Sequence, residues 1–171
     1  MSRTKNYTIS VFTEDFIGLL NRVCIVFTRR HLNITSITAS PSEIQGIHRY
    51  TILLRCTEDQ VRKVVAQIDK IVDVLKTFYH EDEQTIYQEI ALYKVATPLF
   101  GRYNTERVLK DHHARVISMT EQYTVIEKTG TESQTQALFD DLNQIGILEF
   151  ARSGRVAITK PMQSLEAHLQ L

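Results

Sequence analysis

The sequence lacks several features that mark common classes of protein. Lysine plus arginine and aspartate plus glutamate each total 20 among 171 residues, so the formal net charge is zero. Nucleic-acid-binding proteins usually carry a basic excess, and none is present. No apolar run approaches the ~20 residues of a membrane-spanning helix, and the first residues lead into a strand pattern instead of a signal-peptide core. We therefore expect a cytoplasmic protein that binds neither nucleic acid nor a membrane.

Metal-binding and catalytic motifs are also missing. Cys24 and Cys56 have no Cys-x-x-Cys spacing, and they fall on the apolar side of a predicted helix and at a strand end, which indicates reduced packing residues. The six histidines lack the i, i+4 spacing and companion ligands of a helical metal site. No P-loop or nucleophile motif appears. We predict no metal site and no catalytic residue.

An alternation of strand-like and helix-like segments is present instead. In the first half the apolar periodicity predicts the order βαββαβ, over residues 7–13, 18–30, 33–40, 47–55, a helix opened by Thr57-Glu58-Asp59-Gln60, and 72–79. This is the order of the ferredoxin-like or split βαβ motif. The usual strand order of that motif places residues 33–40 on a sheet edge, open to pairing with a second chain.

The second half repeats the pattern less clearly. A polar junction over 81–87 predicts a solvated linker. It is followed by segments at 88–96, 104–112, 115–119, 123–128, a helix opened by Thr131-Glu132-Ser133-Gln134, and strands at 147–152 and 155–159. The predicted fold is α+β, with two ferredoxin-like domains at 5–80 and 88–171. Domains of this size gain stability from dimerising.

The most informative local pattern is a strand that leads into a glycine-opened helix at Gly18. Glycine permits close backbone approach, and the first N–H groups of the helix are unsatisfied donors at the positive end of a dipole. Such a turn suits a small anion. The alternative is an ordinary strand-to-helix turn, in which the glycine only relieves backbone strain.

Motifs in both halves resemble the small, regulatory subunits of acetolactate synthase (acetohydroxyacid synthase), whose N-terminal half is an ACT domain. The resemblance runs from about residue 6 to about residue 159. It rests on Ser10-Val11, Glu14, Gly18, Leu20, Arg22-Val23, Phe27, Asn33-Ile34, Ser36, Val72-Asp73-Val74-Leu75, Tyr123-Thr124-Val125 and Ala151-Arg152-Ser153-Gly154. Many ACT domains share the glycine-helix motif, so the later motifs make the resemblance more specific.

The resemblance implies a homodimeric, non-catalytic regulator of branched-chain amino acid biosynthesis. Such a protein binds the large catalytic subunit, raises its activity and confers feedback inhibition by a branched-chain amino acid, typically valine. Thiamine diphosphate, magnesium and FAD are expected only in that catalytic partner. The resemblance places the effector between two ACT domains, in contact with Asp15, Gly18, Leu19 and Leu20 of one chain and with Asn33 and Ile34 of the other.

Asp15 departs from the family pattern, in which asparagine is common at this position. Aspartate accepts a hydrogen bond from an ammonium group, but it cannot donate to a carboxylate and its charge repels one. Two hypotheses follow: valine sensitivity is weakened, or Asp15 merely N-caps the helix.

Two other classes of protein stay open. One is a stand-alone ACT-type amino-acid sensor with a different target. The other is an RNA-recognition module, which shares the βαββαβ order. Residues 47–55 lack the paired stacking aromatics of such RNA-binding sheets.

Overall fold

The first half of the chain forms a four-stranded antiparallel sheet with two helices on one face. The computed structural model describes residues 3–101 and 105–160. The elements in this half are β1 (Lys5–Glu14), α1 (Leu19–Arg29), β2 (Ile34–Pro41), β3 (Ile47–Cys56), α2 (Glu58–Ile68) and β4 (Val74–Glu81). Their order in the sheet is β2-β3-β1-β4. The predicted βαββαβ order and the edge position of the second strand are both confirmed.

Alternating side chains explain why the helices cover only one face of this sheet. Tyr7, Ile9 and Val11 of β1 point to the helices and pack in one buried cluster with Val23 and Phe27 of α1. The predicted capping box is confirmed, since the Gln60 N–H donates to Thr57 Oγ1 at 3.4 Å and Gln60 Oε1 accepts from the Thr57 N–H at 2.9 Å.

The two cysteines are free thiols, as predicted. Cys56 belongs to the buried cluster beneath the helices, while Cys24 is half-buried. Burial raises the pKa of both thiols above the ordinary value, which keeps them protonated and unreactive near neutral pH.

The second half forms another antiparallel sheet, in the order β6-β7-β5-β8. Its elements are β5 (Thr85–Ala96), α3 (Thr97–Phe100), α4 (Thr105–Asp111), β6 (Arg115–Met119), β7 (Tyr123–Gly130), α5 (Glu132–Asn143) and β8 (Ile147–Arg152). A further strand, β9 (Val156–Thr159), pairs with β5. The second ferredoxin-like unit is confirmed. The predicted helix start at residue 104 and the tail 161–171 lie outside the described residues.

Sequence periodicity missed the short helix α3, because four residues cannot show a helical repeat. The second capping box is confirmed, since Thr131 accepts from the Gln134 N–H at the start of α5. None of the described helices is long and apolar enough to cross a lipid bilayer.

The predicted linker at 81–87 has regular structure. β4 runs to Glu81, a 3₁₀ turn spans Asp82–Gln84, and β5 begins at Thr85. Asp82 is engaged by a buried cation, because Arg155, which is 1% exposed, donates from Nη1 to Asp82 Oδ1 at 2.6 Å. The junction is therefore part of a hydrogen-bonded network rather than a purely solvated segment.

The described C-terminal segment, residues 155–160, belongs to the first compact unit, while residues 87–154 form the second. Arg155 Nη1 donates to Thr8 Oγ1 of β1 at 3.0 Å, and Thr38 Oγ1 of β2 donates to Arg155 O at 3.0 Å. Arg49 Nη2 of β3 donates to Ala157 O at 2.5 Å. These bonds tie the segment to three strands of the first sheet. The sequence-based domain bounds of 5–80 and 88–171 stay predictions.

Candidate effector site

The turn between β1 and α1 depends on the backbone conformation of a glycine. Gly18 is the N-cap residue of α1, with a φ of 83° in the left-handed region, and no side chain caps this helix. A Cβ at Gly18 would meet nothing within 4 Å, so the backbone angle, not crowding, demands glycine. The hypothesis that Asp15 N-caps the helix is wrong, because Gly18 occupies that position.

Of the N–H groups in the turn that the resemblance selects, that of Leu19 is engaged, while those of Gly18 and Leu20 have no acceptor among the described residues. The Leu19 N–H donates to Phe16 O at 3.3 Å, so it is already engaged. Among the described residues, nothing accepts from the N–H groups of Leu20 and Asn21. These two amides sit at the positive end of α1 and are the donors that an anionic group would meet. Sequence reasoning did not select Asn21.

Asp15 is held by its backbone and leaves its carboxylate accessible. Its N–H donates to Gly46 O at 3.1 Å. Its carboxylate Oδ1 lies 3.5 Å from His48 Nε2, and the side chain is 69% exposed. Gly46 and His48 come from the connection between β2 and β3 and the start of β3. No local pattern in the sequence links them to Asp15.

A second set of contacts joins the turn to Asp73, the residue that precedes β4. Arg22 Nη1 of α1 lies 3.1 Å from Asp73 Oδ2, and the Glu14 N–H at the end of β1 donates to Asp73 O at 3.0 Å. Asp73 has a φ of 74°, which few non-glycine residues adopt. All three residues belong to the motifs that carry the family resemblance, but the sequence analysis did not predict that they are in contact.

The turn also carries exposed apolar side chains close in sequence to the free donors. Phe16 is 61% exposed, Ile17 98% and Leu20 36%. Exposed donors beside exposed apolar groups suit a ligand with both an anionic end and a hydrocarbon side chain.

Asn33 and Ile34 lie far from this turn within one chain. Ile34 pairs with Leu54 of β3, and Leu54 pairs with Tyr7 near the beginning of β1. The turn follows Glu14 at the other end of β1. Tyr7 and Glu14 are seven residues apart along β1, which corresponds to roughly 23 Å at the rise of a β-strand. The structure therefore brings together Asp15, Gly18, Leu19 and Leu20, and it does not bring Asn33 and Ile34 to them.

Ionisable side chains elsewhere form pairs rather than clusters. His112 Nε2 lies 2.7 Å from Asp141 Oδ2. Across the ranges 3–101 and 105–160, the structure holds no group of three or more His, Cys, Asp or Glu side chains suited to a metal ion.

Comparisons with known protein families match both halves of the chain. Residues 9–76 match the family described as AHAS small subunit-like ACT domain. Residues 88–161 match the family described as small subunit of acetolactate synthase. The two matches follow each other in the order of the two sheets.

Proteins that are similar to this chain over most of its length belong to the same family. The chain is 31% identical over 156 residues to the acetolactate synthase small subunit of Mycobacterium bovis, covering 91% of this chain and 93% of that one. It is 32% identical over 147 residues to the Bacillus subtilis small subunit, covering 85% and 86%. A crystal structure of the Thermotoga maritima small subunit superposes with a TM-score of 0.83 at 26% identity, covering 92% of this chain and 98% of that one.

The two sheets, the glycine turn and these matches define a non-catalytic regulatory protein built on an ACT domain. The chain belongs to the acetolactate synthase small-subunit family. The resemblance stated from the sequence is thereby confirmed, and so is the expectation of a regulatory subunit in branched-chain amino acid biosynthesis.

Proposed function

We propose that this chain binds the large catalytic subunit of acetolactate synthase, raises its activity, and makes it sensitive to valine or another branched-chain amino acid. The effector lies between two copies of the chain. The partner is supported by relatives named as acetolactate synthase small subunits, which match over most of their length. Thiamine diphosphate, magnesium and FAD belong to the catalytic partner in this proposal, and the predicted cytoplasmic location stays a prediction.

The position of β2 carries the proposal. β2 is an edge strand, with Ile34 at one end and Pro41 at the other. Pro41 pairs with His48, and His48 pairs with Thr13 at the end of β1 that leads into the glycine turn. If two β2 edges pair across a twofold axis, the strands run antiparallel and the Ile34 end of each copy faces the Pro41 end of the other. The partner's Asn33 and Ile34 then approach the Gly18 turn.

A branched-chain amino acid fits this arrangement chemically. Its carboxylate suits the free N–H groups of Leu20 and Asn21, and its hydrocarbon side chain suits the exposed part of Leu20. Its ammonium needs acceptors, and the exposed Asp15 carboxylate is one. Because the ligand contacts both copies, its binding free energy depends on how the copies are arranged, which is the requirement for regulation.

An activity assay tests the proposal. The purified large subunit is measured alone, with this chain, and with this chain plus valine, leucine or isoleucine. We expect a higher rate with the chain and a partial reversal by valine. An unchanged rate in every condition contradicts the proposal. Co-purification separates a small subunit from a stand-alone sensor, since only the former retains a thiamine-diphosphate enzyme reproducibly.

A further inference from the structure

The face of the first sheet that lies opposite the helices is polar, yet part of it is buried. Thr8, Ser10 and Thr51 point to this face, because they alternate along β1 and β3 with residues of the buried core beneath the helices. These three residues are 1%, 5% and 5% exposed. Antiparallel sheets commonly leave such a face to solvent, so other residues must cover this one.

Residues 155–157, which we call the covering segment, lie on this polar face. They belong to the same compact unit as the sheet. Arg155 is 1% exposed, and its Nη1 donates to Thr8 Oγ1 at 3.0 Å and to Asp82 Oδ1 at 2.6 Å. Breaking a buried ion pair is costly, since one charge then lacks its counter-charge. The Arg155 side chain therefore anchors the covering segment to β1 and to the turn after β4.

The covering segment has a second attachment at β3. Arg49 donates from Nη2 to Ala157 O at 2.5 Å and to Ser10 Oγ at 3.2 Å. Its guanidinium also lies over the ring of Phe12, with 5.3 Å between the Cζ atom and the ring centroid. The segment is therefore fixed to β3 and β1, the two central strands of the sheet, independently of β2.

The edge strand β2 has few attachments of its own. It pairs with β3, and most of its residues are exposed. Thr38 lies opposite Thr51, so it points to the covered face, and its Oγ1 donates to Arg155 O at 3.0 Å. Exposed elements with few buried contacts open most easily. The bond from Thr38 therefore links a weakly held strand to the anchored covering segment.

We propose that Arg155 is a positioning residue for the effector site. Its side chain anchors the covering segment, and its carbonyl oxygen holds β2, the strand that begins at Ile34 directly after Asn33. This role rests on the proposed function, in which the Gly18 turn and the partner's Asn33 bind one effector. An effector that binds only when β2 is correctly placed has an apparent affinity proportional to the fraction of time that β2 spends there. Loosening β2 should therefore weaken effector binding without removing any residue that touches the effector.

Thr38→Val tests the bond between β2 and the covering segment in the full-length chain. The substitution removes the donor and keeps the shape of the side chain, so the fold should be retained. Hydrogen–deuterium exchange read by mass spectrometry reports the mobility of β2, and calorimetric titration with valine reports the affinity. We expect exchange to become faster in β2 but not in β4, and the Kd for valine to rise up to about fivefold, since one hydrogen bond is lost.

Variants of Arg155 test the anchor. Arg155→Met removes the buried charge, so we expect faster exchange in β2 and a Kd for valine that is at least about tenfold higher. Arg155→Lys keeps a charge beside Asp82 and should restore most of the affinity that the methionine variant loses. Lys160→Met is the matched control, because it removes a bond from the residue after β9, Lys160 Nζ to Glu83 O at 2.6 Å, that does not involve β2. It should behave like the wild type.

The proposal is overturned if the wild type binds valine and both Thr38→Val and Arg155→Met keep its affinity, whether or not β2 exchanges faster. Equal weakening by Lys160→Met overturns it as well, because that variant leaves the Thr38 bond intact. Should Arg155→Met fail to fold, Thr38→Val decides the question. A wild type that binds none of valine, leucine and isoleucine instead overturns the proposed function, on which this role depends.

Discussion

Single residues of the glycine turn determine how the proposed effector would be recognised. Gly18 supplies a backbone angle that side chains disfavour, and nothing in the described part of the chain accepts from the N–H groups of Leu20 and Asn21. Asp15 contributes a 69% exposed carboxylate to the same turn. An anionic ligand group at the turn therefore experiences attraction from the helix end and repulsion from Asp15 at the same time.

Asp15→Asn should tighten valine binding. The substitution removes a negative charge near the effector carboxylate and adds an amide that can donate to it, while the amide oxygen still accepts from the effector ammonium. Since Asp15 is exposed and screened, we expect a gain of about 1 kcal/mol or less, or several-fold in affinity. Calorimetric titration with valine measures it, and Glu14→Gln, a neighbouring exposed carboxylate, is the control. Equal affinities in wild type and Asp15→Asn would remove this side chain from the site.

Sequence patterns predicted the contacts of single residues only where the two residues are close together in the chain. Both capping boxes involve residues three positions apart, and both are present. The contacts of Asp15 with Gly46 and His48 join residues about thirty positions apart, and they depend on how β3 returns beside β1. Arg155 was expected within a strand, but its burial against Thr8 and Asp82 depends on tertiary contacts that no local spacing encodes.

At the scale of elements, apolar periodicity was sufficient for the two sheets and their long helices. It failed for α3, which is too short to show a period. The charged junction at 81–87 predicted a solvated linker, whereas the structure has the end of β4, a 3₁₀ turn and the start of β5 there. A run of charged residues occurs in solvated linkers and also in exposed strands and turns, so this pattern does not distinguish them. Edge position was predictable from the strand order typical of the motif, and β2 is an edge strand.

A buried hydrogen bond between the second sheet and α5 should make the second unit sensitive to high pH. Tyr93 of β5 is fully buried and donates from its hydroxyl to Thr135 O of α5 at 2.6 Å. Burial raises the pKa of Tyr93 to about 12, partly offset by Arg152. Since the folded-state pKa lies above the unfolded value of about 10, the stabilisation is complete below about pH 10 and is lost as pH rises toward 12.

Tyr93→Phe tests this link. The variant should lose about 1 kcal/mol of unfolding free energy at pH 8, because Thr135 O loses its donor. Its stability should also fall less steeply than that of the wild type between about pH 10 and pH 12. Urea unfolding at a series of pH values measures both effects. Parallel curves for the two proteins would show that Tyr93 does not cause the alkaline loss.

At the scale of the whole molecule, the proposed effector site is complete only when two copies of the chain pair. Within a chain, Asn33 and Ile34 lie roughly 23 Å along the sheet from the level of the glycine turn. β2 is an edge strand, and in the proposed dimer antiparallel pairing of two β2 edges would bring the partner's Asn33 to the turn. The central claim is therefore that the Gly18 turn of one chain works with Asn33 of the other.

Mixed dimers measure this claim most directly. Gly18→Ala and Asn33→Ala chains, each checked for unchanged folding, should bind valine poorly as separate homodimers. When the two variants are co-expressed with different affinity tags and the mixed dimer is purified, one interface combines an intact turn with an intact Asn33. Calorimetry should then recover one valine site per mixed dimer with an affinity near that of the wild type. A mixed dimer that binds valine no better than either homodimer would contradict the account.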